Sequence, residues 1–239
     1  MKIKIFDDYE SLSFAVAEVV RKALEKKKKT TFALPSGSTP LGLYRELIKL
    51  YNRKKIDFSE AAIFALDEYL GFSETDRDSF SCFLKTNFLN HVNVLPQNSF
   101  FPIANENNVE EVCKWYEKEI DRHGGLDLAI VGIGVNGHIA FNEPGSGLKS
   151  ITRLIKLTPE TISYNEKNFQ DTKKIPTFGV TMGISTIMKA QEILLIANGK
   201  NKSKILEKCF KGPISKEKPA SFLQNHKALS IFIDKEASF

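Results

Sequence analysis

Apolar and polar positions alternate along this chain in two rhythms. From about Ser11 to Lys28 the apolar residues recur at every third or fourth position, which is the spacing of an amphipathic helix. Thr31 to Leu34 and Ala61 to Leu66 are instead short apolar runs, which are typical of buried strands. A second helical pattern lies between these runs and consists of Leu43, Tyr44, Leu47, Ile48 and Tyr51. The chain is therefore predicted to begin by alternating helix and strand.

The alternation continues through the rest of the chain. Helical spacing returns near Ser79 to Asn90 and Val109 to His123, and Gly124 with Gly125 end the second of these helices. A further helix is predicted near Lys202 to Phe210. Strands are predicted at Leu126 to Val131, Ile151 to Leu157, Thr177 to Thr181, Ile193 to Ala197 and Ala228 to Asp234.

Strand-helix alternation of this kind favours a mostly parallel sheet with helices on both faces. We therefore predict an α/β fold, a three-layer, open, Rossmann-like sheet. The 239 residues, 42% of them apolar, can bury one large core. Because no compositional shift, flexible linker or internal repeat divides the chain, residues 1–239 are predicted to form a single domain.

Composition narrows the cellular setting. The N-terminal segment MKIKIFDDYES has too short an apolar run and too many acids for a signal peptide. No segment approaches the roughly 18 apolar residues of a membrane span. The cysteines are odd in number and lack C-x-x-C spacing: Cys82, Cys113 and Cys209. We therefore expect reduced thiols, a cytoplasmic protein and no membrane partner.

The net charge of +5 is mild and suits an anionic substrate. Much of it lies in Lys26 to Lys29, which is most simply a solvated helix end. No module of interleaved aromatic and basic residues supports nucleic-acid binding. A small anionic molecule is therefore the expected partner.

The stretch from Leu126 to Gly147 has the layout of a site. Its apolar first half ends abruptly at glycines that let the backbone turn tightly and approach a ligand: Gly132, Gly134 and Gly137. His138 and Glu143 follow, with Pro144 next. Because a residue before proline is disfavoured in the helical region, Glu143 is expected to meet His138 across a loop.

The same glycines match G-x-G-x-x-G, which after a strand suggests a dinucleotide-binding turn. We reject this interpretation, because such a turn should open a long helix and be followed by an acid about 20 residues later. Pro144 and Gly145 interrupt any such helix, and the run from Ile151 to Leu157 ends without a carboxylate.

Two other predicted strands also end in polar motifs. Leu34 to Pro40, LPSGSTP, leads small hydroxyl residues into a helix N-terminus, where backbone N–H groups favour phosphate. The ordinary alternative is a turn in which Thr39 and Pro40 are an N-cap and a first-turn proline. Asp67 and Glu68 directly follow a buried run, and capping the next segment is the alternative there. Because ligands bind at the carboxyl ends of parallel strands, we expect all three motifs at one sheet edge.

These motifs resemble those of the glucosamine-6-phosphate deaminases, the hexosamine-6-phosphate isomerase-deaminases. The matching segments are LPSGSTP, LDEY at Leu66 to Tyr69, GxGxNGHIAFNEPG at Gly132 to Gly145 and KPASFLQNH at Lys218 to His226. They occur in the family's order over nearly the whole chain. The resemblance implies a three-layer α/β fold and conversion of glucosamine 6-phosphate, an amino-sugar phosphate, to fructose 6-phosphate and ammonia without metal or cofactor.

The resemblance also assigns roles to individual residues. It makes Asp67 the general base that takes the C2 proton of the opened sugar and returns it at C1. His138 would assist ring opening, Glu143 would orient or charge-tune it, and Asn136 would hold it by hydrogen bonds. Glu68 is interpreted as a supporting neighbour.

For the phosphate, the resemblance points to the loop Ser36, Gly37, Ser38 and Thr39 and to Lys202. The family usually adds an arginine where this chain has Lys167. Lysine supplies a point charge in place of a bidentate fork, and a solvated lysine is the alternative.

Other functions remain open at this stage. The segments Gly124 to Leu128 and Pro219 to Leu223 look at least as much like the galactosamine 6-phosphate branch of the family. The 6-phosphogluconolactonases share a related glycine loop, but Asn142-Glu143-Pro144 argues against them. A non-catalytic sugar-phosphate sensor would not need Asp67, His138 and Glu143 together. A monomer or small homo-oligomer is expected, rather than a hexamer.

Overall fold

Strands and helices alternate along the chain as the apolar pattern predicts. The structure, a computed structural model, describes residues 1–166, 169 and 175–239. Its strands are β1 (Lys2–Phe6), β2 (Thr31–Leu34), β3 (Ala62–Ala65), β4 (Asp67–Tyr69), β5 (Ser99–Phe100), β6 (Leu128–Val131), β7 (Arg153–Lys156), β8 (Phe178–Thr181), β9 (Glu192–Ala197) and β10 (Leu229–Asp234). Its helices are α1 (Tyr9–Lys26), α2 (Leu41–Asn52), α3 (Phe80–Asn87), α4 (Val109–Arg122), α5 (Pro159–Glu166), α6 (Ile184–Met188) and α7 (Ser203–Phe210). Within these ranges no helix has the length and apolar content to cross a membrane.

The main sheet is parallel and seven-stranded, in the order β1-β10-β9-β6-β2-β3-β5. Successive residues of a strand point to opposite faces, so Ala129 and Val131 enter one core while Leu128 and Ile130 enter the other. Helices α1, α2 and α3 cover one face, and α4, α6 and α7 cover the other. Because both faces are covered, β3 and β6 are apolar at every position, and β2 and β9 are apolar at every position but the first. The predicted three-layer, mostly parallel α/β fold is confirmed.

Three more strands form a separate antiparallel sheet in the order β4-β8-β7. The sequence predicts strands at Ile151 to Leu157 and Thr177 to Thr181, and both exist in shorter form as β7 and β8. Their implied place in the parallel sheet is wrong. Half-buried and exposed residues alternate along β7, as expected for a sheet packed on one face only. On the packed face, Tyr69 of β4 contacts Phe141 from the loop after β6, with ring centroids 5.3 Å apart.

The apolar pattern misses several short elements. In β1, at the edge of the main sheet, lysine and isoleucine alternate, and Ile3 and Ile5 are exposed, so no continuous apolar run marks this strand. Strand β5 has 2 residues and helix α6 has 5, which is too short for a periodicity to show. Helix α5 is also absent from the prediction, and it contributes to the site described below.

The two sheets join at Leu66. Its backbone N–H donates to the Leu34 carbonyl of β2 at 3.2 Å, and its own carbonyl accepts from Met182, just past β8, at 2.8 Å. The chain thus passes from β3 into β4 with Leu66 as its connecting residue. The carboxyl ends of β2, β3 and β6 open at this junction, which places their polar motifs side by side.

Candidate active site

A cavity of about 160 Å³ lies at the carboxyl edge of the main sheet. All three predicted strand-end motifs contribute to its wall: the loop from Ser36 to Thr39 after β2, Asp67 after β3, and Asn136 with His138 after β6. Lys202, which follows β9, completes this set. The sequence prediction that these segments meet at one sheet edge is therefore consistent with the structure.

Asp67 is the first residue of β4 and is only 7% exposed. Burial raises the pKa of Asp67 well above its ordinary value, and the nearby negative charge of Glu68 raises it further. No residue in the described ranges donates a hydrogen bond to this carboxyl. When ionised, Asp67 is therefore an unusually strong base for an aspartate, and it faces the cavity.

Glu68 points elsewhere and is fully buried. One of its carboxyl oxygens accepts from the backbone N–H groups of Tyr69 and Phe80, both at 2.9 Å. The other accepts from Ser81 N–H at 2.8 Å. Burial raises the pKa of Glu68, and these hydrogen bonds partly offset that rise. Because its oxygens cap the start of α3, Glu68 supports the strand that carries Asp67 and does not line the cavity.

A short network of polar contacts orients the imidazole of His138. Its Nδ1 lies 3.5 Å from Glu143 Oε2 and 3.4 Å from the Thr161 hydroxyl of α5. Asn136 donates from Nδ2 to the same Glu143 oxygen at 2.9 Å, and its Oδ1 accepts from the His138 backbone N–H at 3.1 Å. The predicted meeting of His138 and Glu143 across a loop is present, and Glu143 itself lies behind the ring, outside the cavity wall.

Glu143 is 2% exposed, and burial by itself would raise its pKa. The hydrogen bond and the charge of His138 outweigh this effect, with smaller contributions from Thr161 and Asn136. The pKa of Glu143 is thereby lowered to about 2. Glu143 is thus ionised at every pH at which the protein is expected to work, and it presents a fixed negative charge to Nδ1 of His138.

Gly134 sets the position of the His138 ring from the other side. Its N–H donates to the His138 carbonyl at 3.0 Å, which closes the glycine loop. A Cβ atom on Gly134 would lie 2.3 Å from the imidazole carbon Cε1 and from Nε2. The glycine is therefore needed here because the backbone and the imidazole pack in direct contact.

The loop after β2 is shaped by aromatic hydroxyls. Tyr44 donates to the Pro35 carbonyl at 2.5 Å. Tyr9 donates to the Thr39 carbonyl at 2.8 Å and accepts from the Gly42 N–H at 2.6 Å. Gly37 lies in this loop with a φ of 101°, a conformation that favours glycine. The loop is thus fixed at the N-terminus of α2, where helix N–H groups attract anions.

The alternative in which Thr39 is the N-cap of α2 is wrong. Pro40 occupies the cap position, and no side chain caps this helix. The Thr39 hydroxyl instead donates to Asn198 Oδ1 at 2.8 Å, which joins this loop to the end of β9. Tertiary contact outweighs the local capping preference here.

Lys202 supplies a cation to the same side of the cavity. It is 8% exposed, and its Nζ donates to the Ile133 carbonyl at 2.7 Å. Burial lowers the pKa of Lys202. Lys167, the other predicted phosphate ligand, lies outside the described residues.

Sequence reasoning missed several residues of this site. Thr161 and Asn165 reach the cavity from α5, and Phe80 and Phe141 add apolar wall. Asn198 directly follows the last residue of β9, so the strand-end rule could have identified it. Phe80 begins α3, Phe141 lies in the loop after β6 and Thr161 belongs to α5, and no local pattern indicates that these segments meet.

The chemistry available at this site is proton transfer on an anionic molecule. The cavity combines a buried carboxyl of raised pKa, an imidazole backed by a carboxylate, and an N–H-rich loop beside an ammonium group. Among the described residues, no cluster of three or more His, Cys, Asp or Glu side chains could hold a metal ion.

Comparison with known proteins places this arrangement in a family. Residues 9–231 match the family model for glucosamine-6-phosphate isomerases and 6-phosphogluconolactonase. A glucosamine-6-phosphate deaminase of Thermoanaerobacter sp. (strain X514) is 42% identical over 238 residues, which cover 100% of this chain and 94% of that protein. A glucosamine-6-phosphate deaminase of Clostridium botulinum (strain Hall) is 40% identical over 238 residues, covering 100% of this chain and 98% of the relative.

Solved structures agree with this assignment. A monomeric glucosamine-6-phosphate deaminase matches with a TM-score of 0.96 and 36% identity, over 99% of this chain and 98% of that one. The 6-phosphogluconolactonase of Thermotoga maritima matches with a TM-score of 0.77 over 98% of this chain and 99% of that one; at 22% identity this likeness supports the fold alone. With its sequence matched from end to end and its fold reproduced, the chain belongs to the family of glucosamine-6-phosphate isomerases and 6-phosphogluconolactonases.

Proposed function

We propose that this protein is a glucosamine-6-phosphate deaminase, which converts glucosamine 6-phosphate and water to fructose 6-phosphate and ammonia. One observation carries the proposal: Asp67, a buried carboxyl of raised pKa, shares a cavity with His138 and with a loop suited to phosphate. The names of the relatives with 40% identity or more support the same substrate. A lactonase needs no base for a carbon-bound proton, so the strand-end carboxyl favours the isomerising reaction.

Ring opening is the first step of the proposed reaction, and we assign it to His138. The negative charge of Glu143 facing Nδ1 favours the tautomer that carries its proton on that nitrogen. The other ring nitrogen is then free to accept the proton of the anomeric hydroxyl and to deliver it to the ring oxygen. Asn136 keeps the carboxylate and the loop backbone in register with the imidazole.

Asp67 carries the second step. Its carboxylate removes the proton from C2 of the open-chain aldehyde and returns it at C1, while a proton passes from the amine nitrogen to the aldehyde oxygen. C1 thereby becomes a primary alcohol and C2 an imine. Addition of water to that imine and loss of ammonia give the ketose. The C2 proton is acidified by the neighbouring aldehyde, and a positioned base contributes roughly 10²–10⁴-fold to such a transfer.

The phosphate is proposed to bind the loop of Ser36, Gly37, Ser38 and Thr39 together with Lys202. The backbone N–H groups of this loop and the N-terminus of α2 supply fixed partial positive charge. Lys167 remains a proposed second cation, although it lies outside the described residues. A lysine there would attract phosphate without the bidentate geometry of arginine.

Ammonia release tests the proposal directly. The protein is incubated separately with glucosamine 6-phosphate, galactosamine 6-phosphate and 6-phosphogluconolactone, and both ammonia and lactone hydrolysis are measured. Ammonia from the first substrate supports the proposal. Preference for the second would assign the protein to the epimeric branch that the segments Gly124 to Leu128 and Pro219 to Leu223 resemble. Lactone hydrolysis alone, or binding without turnover, would replace the proposal with a lactonase or a sensor.

We also propose that the protein acts as a monomer or small homo-oligomer, rather than as a hexamer. The structural relative with the TM-score of 0.96 is described as monomeric, which supports a site built from one chain. The proposed catalytic groups in the described part of this protein, Asp67, His138 and Glu143, likewise come from one chain.

The raised pKa of Asp67 predicts how kcat depends on pH in the acid range. A base works only when it is ionised, so kcat should fall as the pH drops through a value well above 3.8, the ordinary pKa of aspartate. Glu143, whose pKa is lowered to about 2, should stay ionised and contribute nothing to this fall in kcat. The profile is measured at saturating substrate, so that ionisation of the free sugar phosphate does not contribute. A kcat that stays constant down to pH 4 would contradict this assignment.

Gly134→Ala is expected to lower kcat about tenfold or more, because the new methyl group would occupy the position of the His138 ring and force the imidazole to move. The KM should change less, since the proposed phosphate loop follows β2 whereas His138 follows β6. Gly147→Ala is a matched control, because a Cβ atom there meets open space. Equal kcat values for the two variants would show that the ring tolerates displacement.

A further inference from the structure

Asp234 ends β10, at the same sheet edge as the cavity, but it does not line the cavity. It is 5% exposed. Both of its carboxyl oxygens lie 3.0 Å from the Gly199 N–H, and Oδ1 also accepts from the Ala237 N–H at 2.8 Å. A buried carboxylate thus holds Gly199, the second residue of the turn that follows β9.

Two residues of that turn make contacts on the proposed phosphate side of the site. Asn198, one residue before Gly199, accepts the Thr39 hydroxyl at 2.8 Å. Three residues after Gly199 comes Lys202, whose N–H donates to the Gly199 carbonyl at 3.0 Å and whose Nζ reaches the Ile133 carbonyl. Gly199 has a φ of 85°, which side chains disfavour. The path of the turn is therefore set by a few backbone contacts, and one of them is the Gly199 N–H that both Asp234 oxygens share.

A lysine side chain is long and has several rotatable bonds, so the position of its ammonium group depends on where its backbone starts. The Thr39 loop depends on the same turn through Asn198. A displacement of Gly199 would therefore move the cation and release one anchor of the loop at once. This makes the Asp234 contact more than a general stabilising bond.

We propose that Asp234 is a positioning residue for the phosphate site, acting through the Gly199 turn on Lys202 and on the loop that contains Thr39. The inference rests on the proposed function, because it concerns the same phosphate group. Asp234 lies outside the cavity wall and is not proposed to touch the substrate or the reacting atoms.

Asp127 provides a matched control at the opposite edge of the sheet. It is also a carboxylate that holds backbone and side chains, accepting from Thr31 N–H at 2.8 Å, from Gln191 at 2.9 Å and from Lys27. Its removal should cost comparable stability, yet it lies at the amino ends of the strands. A purely structural role for Asp234 would make the two variants behave alike.

The test compares Asp234→Ala, Asp234→Asn and Asp127→Ala. For Asp234→Ala we expect the KM for glucosamine 6-phosphate and the Kd for inorganic phosphate to rise together, about tenfold, which is the scale of losing a hydrogen bond to a charged group, while kcat changes by less than about twofold. Asp234→Asn should recover most of the affinity, because its amide oxygen can still accept from Gly199. Asp127→Ala should lower the unfolding midpoint without raising either constant.

The outcomes separate the inference from the proposed function. Unchanged KM and Kd in Asp234→Ala, with ammonia release intact, would overturn the inference alone. If the natural chain releases no ammonia but loses phosphate affinity in Asp234→Ala, the proposed function fails and the positioning role stands. Should Asp234→Ala not fold, Gly199→Ala displaces the same turn and is expected to raise the same two constants; normal values there would also overturn the inference.

Discussion

Asp67→Asn is expected to lower kcat for glucosamine 6-phosphate by roughly 10²–10⁴-fold, the contribution of a positioned proton-transfer group. Asparagine has the same shape but cannot accept a proton, and the buried position gives no other carboxyl access to C2. Glu68 cannot take over, because its oxygens are bound to the backbone N–H groups at the start of α3. Substrate binding should survive, since the phosphate loop ends a different strand.

The measurement pairs turnover with binding. Ammonia release gives kcat, and calorimetric titration with the sugar phosphate gives the Kd, which should stay within a few-fold of its original value. Asp121→Asn, at an exposed aspartate near the end of α4, serves as the control and should behave like the natural chain. Full turnover in Asp67→Asn would remove this residue from the role of base, whatever its pKa.

His138→Gln is expected to slow the reaction by roughly 10²-fold through its effect on ring opening, the lower part of the range for a proton-transferring side chain. Glutamine can form hydrogen bonds but cannot carry a proton between two oxygens of the sugar. Glu143 would then face an amide in place of an imidazole, so the shuttle is lost while the cavity shape is largely kept.

Deuterium at C2 of the substrate separates ring opening from proton removal. If opening becomes rate-limiting in His138→Gln, the isotope effect on kcat should shrink towards one. His91→Gln alters an exposed histidine and should leave both kcat and the isotope effect as they were. An undiminished isotope effect in the His138 variant would argue that His138 serves a different step.

The architecture could be predicted because strands that are buried on both faces are recognisable as continuous apolar runs in the sequence. Ala61 to Leu66 and Leu128 to Val131 are continuous apolar runs since both of their sides pack against helices. Once those strands are parallel, their carboxyl ends must share an edge. That is why Asp67 and His138 could be expected at one cavity although 70 residues of chain lie between them.

What escaped prediction depends on contacts distant in sequence. The β7 and β8 segments look like any short strand, and nothing local indicates that they pair with β4 in a second sheet. The Thr39 hydroxyl has a strong local preference for capping, yet Asn198, 159 residues away, offers a better partner. In the sequence, Asp234 is an ordinary acid at a strand end, and its hydrogen bond to Gly199 becomes apparent only in the structure.

The junction at Leu66 has a consequence for substrate length. Asp67 begins the small sheet, and the loop from Ser36 to Thr39 follows a strand of the main sheet. The span between the proposed proton acceptor and the proposed phosphate anchor therefore depends on the backbone hydrogen bonds of Leu66 to Leu34 and Met182. We expect this span to select sugar phosphates by the number of carbons between the second carbon and the phosphate ester. Selection by carbon count would be separate from selection among hydroxyl epimers.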